Sequence, residues 1–189
     1  MLLDTLKYIA TDLNDFLKRK FDLDEDSVIL GNIVDQNGAI PESNRNKVIL
    51  TLISLEPESV IKHSNYQTVG GQALKLSPPL AFNLNIMFSG LFDQYEESLK
   101  FLSQTLWFLQ AKSNYNAENS PGLHKDIRAF SLEVIKLSSS ETYNLWASLG
   151  TKYVPSVPFK LRLVAFQSDQ IGEILTATQQ MGMEALPEV

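Results

Sequence analysis

Residues 144–166 read NLWASLGTKYVPSVPFKLRLVAF. Trp146 and Leu149 stand in the last turn of a short helix, and Gly150 supplies the left-handed residue that commonly ends one. Pro155 and Pro158 then stiffen an extended crossing over 153–158. Beyond it Phe159, Leu161, Leu163 and Ala165 alternate with Lys160, Arg162 and Val164, the period of a strand with one buried face. The stretch is a helix end, a stiff crossing and a last strand, and none of its side chains is arranged to do chemistry.

Upstream, Ser138 and Glu141 have the Ser-x-x-Glu spacing of a capping box, so the short helix begins there and runs to Leu149. RAFSLEVIKL at 128–137 reads as a strand, and the polar SNYNAENSPGLHKD before it as a loop. From 93 to 112 the period is helical: Tyr95, Leu99, Leu102, Leu106 and Leu109 share one side, widened by Phe101, Trp107 and Phe108. LAFNLNIMFSG at 80–90 alternates Leu80, Phe82, Leu84, Ile86 and Phe88 against Ala81, Asn83, Asn85 and Met87, a strand with one buried face.

Residues 56–79 show little sustained periodicity and contain Gly70-Gly71, so they read as a long connection of the functional or disordered kind. KVILTLISL at 47–55 is apolar on both faces, as in the middle of a covered sheet. DQNGAIPESNRN at 35–46 is turn-forming, with Asn37-Gly38 suited to a tight reversal, and VILGNIV at 28–34 is a short strand. At the N-terminal side Leu2, Leu6, Ile9, Leu13, Phe16 and Leu17 recur at helical spacing, giving an amphipathic helix over 2–20 whose stripe must face a sheet. Downstream of 166, the polar 167–189 with Gly172, Gly182 and Pro187 reads as a tail or arm.

The order predicts one α+β domain over 1–166, a mixed, mainly antiparallel sheet packed with three helices, with the 56–79 loop and the 167–189 tail extending from it. At 189 residues, 44% apolar and 20% charged, the chain can bury a core of ordinary size. A net charge of −6 argues against a nucleic-acid partner, since phosphate binding needs clustered cations. The one dense basic cluster, Lys18-Arg19-Lys20, ends the first helix, where it complements the helix dipole.

Enzyme signatures fail one by one. Without cysteine there is no disulfide, thiolate nucleophile or zinc-thiolate site. His63 and His124 both fall in loops, with no His-x-x-x-His or Glu-x-x-His spacing beside them. Asp22, Asp24 and Asp26 imitate the start of a calcium loop, but its sixth position is Ser27 and its twelfth Ile33, where glycine and glutamate are required. Ser59 and Lys62 form an isolated Ser-x-x-Lys without its companion motifs. No residue is therefore assigned a catalytic, cofactor-binding or metal-ligating role, and no small-molecule substrate is expected. No apolar run approaches the roughly 20 residues of a membrane span, and the acidic start is unlike a signal peptide, so synthesis in the cytoplasm is expected.

Four segments in order carry a resemblance: NKVILTLISLEPE at 46–58, PPLAFNLNIMFSG at 78–90, YEESLKFLSQTLWFLQ at 95–110, and LSSSETYNLWASLGTKYVPSVPFKLRLV at 137–164. Together they resemble the N-terminal domain of the tail-terminator, or cap, proteins of extracellular contractile injection systems, the phage-tail-like particles of antifeeding-prophage and virulence-cassette type. The most specific element is the opening stretch, Asn144 to Gly150, then Lys152-Tyr153, then Pro155, Val157 and Pro158. The resemblance implies a non-enzymatic protein without cofactors, forming a ring, a hexamer, that ends the inner tube and anchors the last sheath layer. Its partners would be copies of itself, the inner tube protein and the sheath protein, within a particle assembled in the cytoplasm and released from the cell. A baseplate or adaptor component of the same particle is the alternative, and a small hydrolase with an unrecognised site a more distant one. For Trp107, Phe108, Trp146 and Tyr153, ordinary core packing is expected over a role as interface anchors.

Overall fold

The structure, a computed structural model, describes residues 1–58, 65–69, 72–76 and 81–165. The 167–189 tail lies outside the described residues. In chain order the elements are α1 (Leu2–Phe21), β1 (Val28–Leu30), a single 3-10 turn (Glu42–Asn44), β2 (Lys47–Pro57), β3 (Asn65–Val69), β4 (Gln72–Leu76), β5 (Ala81–Leu91), α2 (Tyr95–Ala111), β6 (Asn114–Asn116), β7 (Ile127–Val134), α3 (Ser139–Ser148) and β8 (Ser156–Ala165). Six strands form one sheet in the order β1-β2-β5-β8-β7-β6. Only β1–β2 is parallel; every other pair in it is antiparallel. The expected α+β fold with three helices and a mixed, mainly antiparallel sheet is the fold observed.

Period-two alternation divides the core between the two sheet faces. On one face Val48, Leu50, Leu84, Ile86, Phe88, Phe159, Leu161 and Leu163 meet the stripe Leu6, Ile9, Leu13 and Leu17 of α1 and Phe101, Leu102, Phe108 and Leu109 of α2. On the other, Ile49 and Met87 pack with Ile33 and with Trp146 of α3 in a smaller cluster. The strand over 80–90 is therefore not covered on one side only: Met87 and Ser89 are buried as well, because α3 and the segment around Ile33 close over them.

Four further expectations are corrected by packing. Strict alternation along β2 would put Val48, Leu50, Leu52 and Ser54 on one face, but a bulge between Leu52 and Ser54 makes Leu55 pair with Leu84 and fall on that face. The first strand stops at Leu30; Gly31 still donates to Leu50 O, and the chain then turns so that Ile33 enters the smaller cluster. In α2 the buried stripe is Ser98, Phe101, Leu102, Thr105, Phe108 and Leu109, while Tyr95 and Leu99 face outward. Ser98 occupies the centre because Gly90 brings β5 unusually close: a Cβ there would lie 3.1 Å from Ser98 O and 3.3 Å from Leu102 Cγ. Lastly, the polar segment after α2 holds the short edge strand β6, whose Tyr115 is buried and stacked on Phe130 with ring centroids 4.4 Å apart.

The connection over 56–79 also differs from a structureless loop. β3 and β4 pair antiparallel, from Asn65 opposite Leu76 to Val69 opposite Gln72, in a separate two-stranded sheet. The ribbon it interrupts ends with Pro57 opposite Phe82, and Ala81 lies opposite Val164. Pro57, Ala81 and Ala165 thus lie at one end of the sheet.

Candidate assembly surfaces

Of the acids singled out by sequence, Asp22 and Asp26 are spent on structure. Asp22 caps α1 in the left-handed conformation, with φ 53°. Asp26 pairs with Lys18 at 2.7 Å, which raises the lysine's pKa; Lys47 donates to Asp26 O and lies 3.9 Å from Glu25. These carboxylates converge on ammonium groups rather than on a common point, and among the described residues no group of three or more His, Asp and Glu could hold a metal ion. His124 is exposed and accepts a hydrogen bond from Asp126 N at 3.3 Å. His63, Ser59 and Lys62 lie outside the described residues.

Two shifted groups are explained by packing as well. Hydrogen bonds from the Ser138 hydroxyl and backbone N–H hold the Glu141 carboxyl below its usual range, the capping box anticipated from sequence. Burial pushes the Tyr115 phenol far above its usual value, and Asp12 nearby raises it further. Asp12 is itself engaged by Lys112 at 2.7 Å, and Tyr115 Oη has no well-formed hydrogen bond. Lys112 Nζ sits 4.6 Å from the Tyr115 ring centre, so this cluster ties the end of α2 to α1 and β6.

The aromatic residues divide. Trp146 and Phe108 are core, as expected, and Trp146 meets Tyr153 edge-on at 5.5 Å. Trp107 and Tyr153 are not: they are 60% and 61% exposed, Trp107 lying flat on Phe16 at 5.6 Å. Tyr153 forms the ridge between two clefts at the end of the sheet opposite the hairpin. One, of about 570 Å³, is bounded by Ile40, Leu91, Phe92, Tyr95, Val154 and Tyr153. The other, of about 300 Å³, runs over Trp146 and Leu145. Gly90 N donates to Pro155 O at 2.9 Å, which fixes the proline crossing as the wall between them.

The part of the α3-side sheet face that α3 leaves uncovered is polar. There Asn83 and Asn85 pair with Arg162 and Lys160, which in turn pair with Ser131 and Glu133. Asn85 Nδ2 donates to Ser54 Oγ at 2.8 Å and to Glu56 Oε1 at 3.2 Å. The strand edges are poor templates for further pairing: β1 and β6 have three residues each, and β2 beyond β1 carries its bulge and Pro57.

Sequence reasoning missed three of these features. Asn14 sits on the buried stripe of α1 and clips β1 to it, accepting from Ser27 N and Val28 N and donating to Val28 O, each at 2.8 Å. A lone amide between Leu13 and Leu17 was the available sign. The hairpin was signalled by NYQTV and QALKL flanking Gly70-Gly71, a two-residue turn pair. The exposure of Tyr95 and Tyr153 had no local sign.

The described residues form a small α+β domain with one six-stranded sheet, an aromatic-rimmed cleft at one end of it and the connection that carries the β3–β4 hairpin at the other. The family model of the Pvc16 N-terminal domain matches residues 5–177, and the chain belongs to that family. No curated protein matches the sequence. Among solved structures it shares its fold with the anti-feeding prophage cap, the AFP tube terminating cap, at 14% identity and a TM-score of 0.53, over 95% of this chain and 60% of that one. It shares it equally with the PVC sheath/tube terminator of an extracellular contractile injection system in its extended state, at 14% identity and a TM-score of 0.57, over 94% of this chain and 61% of that one. The chain thus spans about three fifths of the length of those two proteins.

Proposed function

We propose that this protein is a structural cap of a contractile, phage-tail-like injection particle. Copies form a hexameric ring that ends the inner tube and anchors the last sheath layer. The observation that carries this reading is the fold shared with two tube terminators over nearly the whole chain. The surfaces support it physically. A terminator must present a fixed shape to a polymer's last layer, and a sheet with short, bulged edges and a concave end suits that task; contacts between unlike surfaces close a ring when their rotation closes.

On this reading residues 1–166 are the ring-forming domain, 167–189 an arm, and no bond is made or broken. The chain is made in the cytoplasm and leaves with the released particle. Its partners are its own copies, the inner tube protein and the sheath protein, with neither nucleic acid nor a small molecule.

Removal of the chain from a producing strain tests the reading by electron microscopy of the particles. Tubes of irregular or excessive length are expected; unchanged length distributions overturn it. Labelled copies found at the baseplate end would transfer the protein to a baseplate or adaptor role.

A further inference from the structure

Asn-Gly occurs once in the sequence, at Asn37-Gly38, and the structure places it on the outside: every residue from Asp35 to Ile40 is exposed. Gly38 takes φ 78°, and open space surrounds the position where a side chain would start. Asparagine is among the thermolabile residues, and an exposed pair of this kind reacts with itself. The Gly38 nitrogen attacks Cγ of Asn37, the Cγ–Nδ2 bond breaks, and ammonia leaves with the amide proton, closing a five-membered imide. Water then opens the imide at either carbonyl, giving aspartate or isoaspartate.

The attacking nitrogen is restrained. Gly38 N donates to Asp35 O at 3.1 Å, and Asp35 N donates to Ala39 O at 2.8 Å. Asp35 Oδ1 accepts from Asn37 N at 2.8 Å and from Ala39 N at 2.9 Å. All four bonds close on Asp35, so attack waits for a local opening of this turn. The bond at Asn37 uses its backbone N–H and leaves the carboxamide out. Asn119, which also precedes a small residue, differs: its carboxamide accepts from Asn116 N at 2.9 Å and from Ser120 Oγ at 2.7 Å, and donates to Asn114 O at 2.9 Å.

We propose that Asn37 is a self-modification site, deamidating through Gly38 when the turn opens, with Asp35 setting the rate by holding the turn shut. The product changes one lip of the larger cleft. Isoaspartate adds a carbon to the main chain inside the turn, so Ala39 N and O no longer both fit Asp35, and a second carboxylate stands near the first. Ile40 follows directly and bounds the cleft together with Arg45 and Asp93. The inference rests on the turn alone and holds whatever the chain assembles with.

The test is a time course of the purified full-length chain in mildly alkaline buffer, with peptide mass spectrometry reading deamidation at each asparagine and enzymatic methylation reading isoaspartate. Asn37 is expected to convert ahead of Asn119 and every other asparagine in the folded chain, with isoaspartate among its products; another asparagine converting first overturns the site. Asp35→Ala removes both bonds to Oδ1 and is expected to speed conversion of Asn37 by roughly tenfold, the factor that two ordinary hydrogen bonds supply. Asp35→Asn keeps an acceptor at Oδ1 and is expected to stay near the parent rate. Circular dichroism confirms that both variants remain folded. An Asp35→Ala rate equal to the parent's, or an Asp35→Asn rate equal to that of Asp35→Ala, shows that the turn does not restrain the reaction and overturns the role of Asp35.

Discussion

At the scale of the residue, Asn14 and Tyr115 show opposite ways of burying a polar group. Asn14 satisfies three backbone groups at the α1–β1 junction, so Asn14→Ala strands them without partners. The expected loss is about 1–3 kcal/mol, seen as a lower urea midpoint with unchanged slope; an unaltered midpoint would mean that water replaces the amide. Tyr115 buries an oxygen that no hydrogen bond satisfies. Tyr115→Phe is therefore expected to be neutral or slightly stabilising at pH 7, in urea melts at fixed temperature. Its folded-state pKa is raised, so the stability this phenol allows is fully present below about pH 10 and falls as pH climbs beyond it. The phenylalanine variant should lose less stability than the parent between pH 9 and 11, and equal slopes would show that the phenol titrates outside the core.

At the scale of the element, α3 depends on its first turn more than on its length, because one buried side chain, Trp146, holds it to the sheet. Ser138→Ala removes the cap and is expected to cost about 1 kcal/mol. The same bonds depress the Glu141 carboxyl, so their contribution is present above the ordinary carboxylate range and vanishes as pH falls through the lowered folded value. The difference between Ser138→Ala and the parent should therefore shrink in acid; a gap that is constant with pH would point to the hydroxyl acting without Glu141. This element was legible beforehand, since Ser138, Glu141 and Gly150 act on their own neighbours, and Gly150 does take φ 69°. α2 was half legible. Its helical period was plain, but which apolar residues face inward depends on where Gly90 lets β5 approach, so Tyr95 and Leu99 were assigned to the wrong side.

At the scale of the molecule, the core does not depend on the hairpin, because β2 and β5 already close their ribbon at Pro57 and Phe82. Replacing residues 59–80 by a short Gly/Ser linker is expected to change stability by less than about 1.5 kcal/mol, as loop length enters only logarithmically. Thermal unfolding checks this, and a drop of many degrees would show that the hairpin packs on its own domain.

By itself the sequence determined the α+β class, most element positions, the capped helix and its glycine stop, and the family resemblance, because periodicity and capping are local and survive without a partner. It also showed that the usual catalytic spacings are missing. Only the tertiary structure decided the strand order, the bulge that turns Leu55 over, the burial of Met87 and Tyr115, the outward aspect of Trp107 and Tyr153, and the placement of hairpin and cleft at opposite ends. Each of these depends on which distant segment arrives opposite a residue, and no window of sequence holds both sides of a contact.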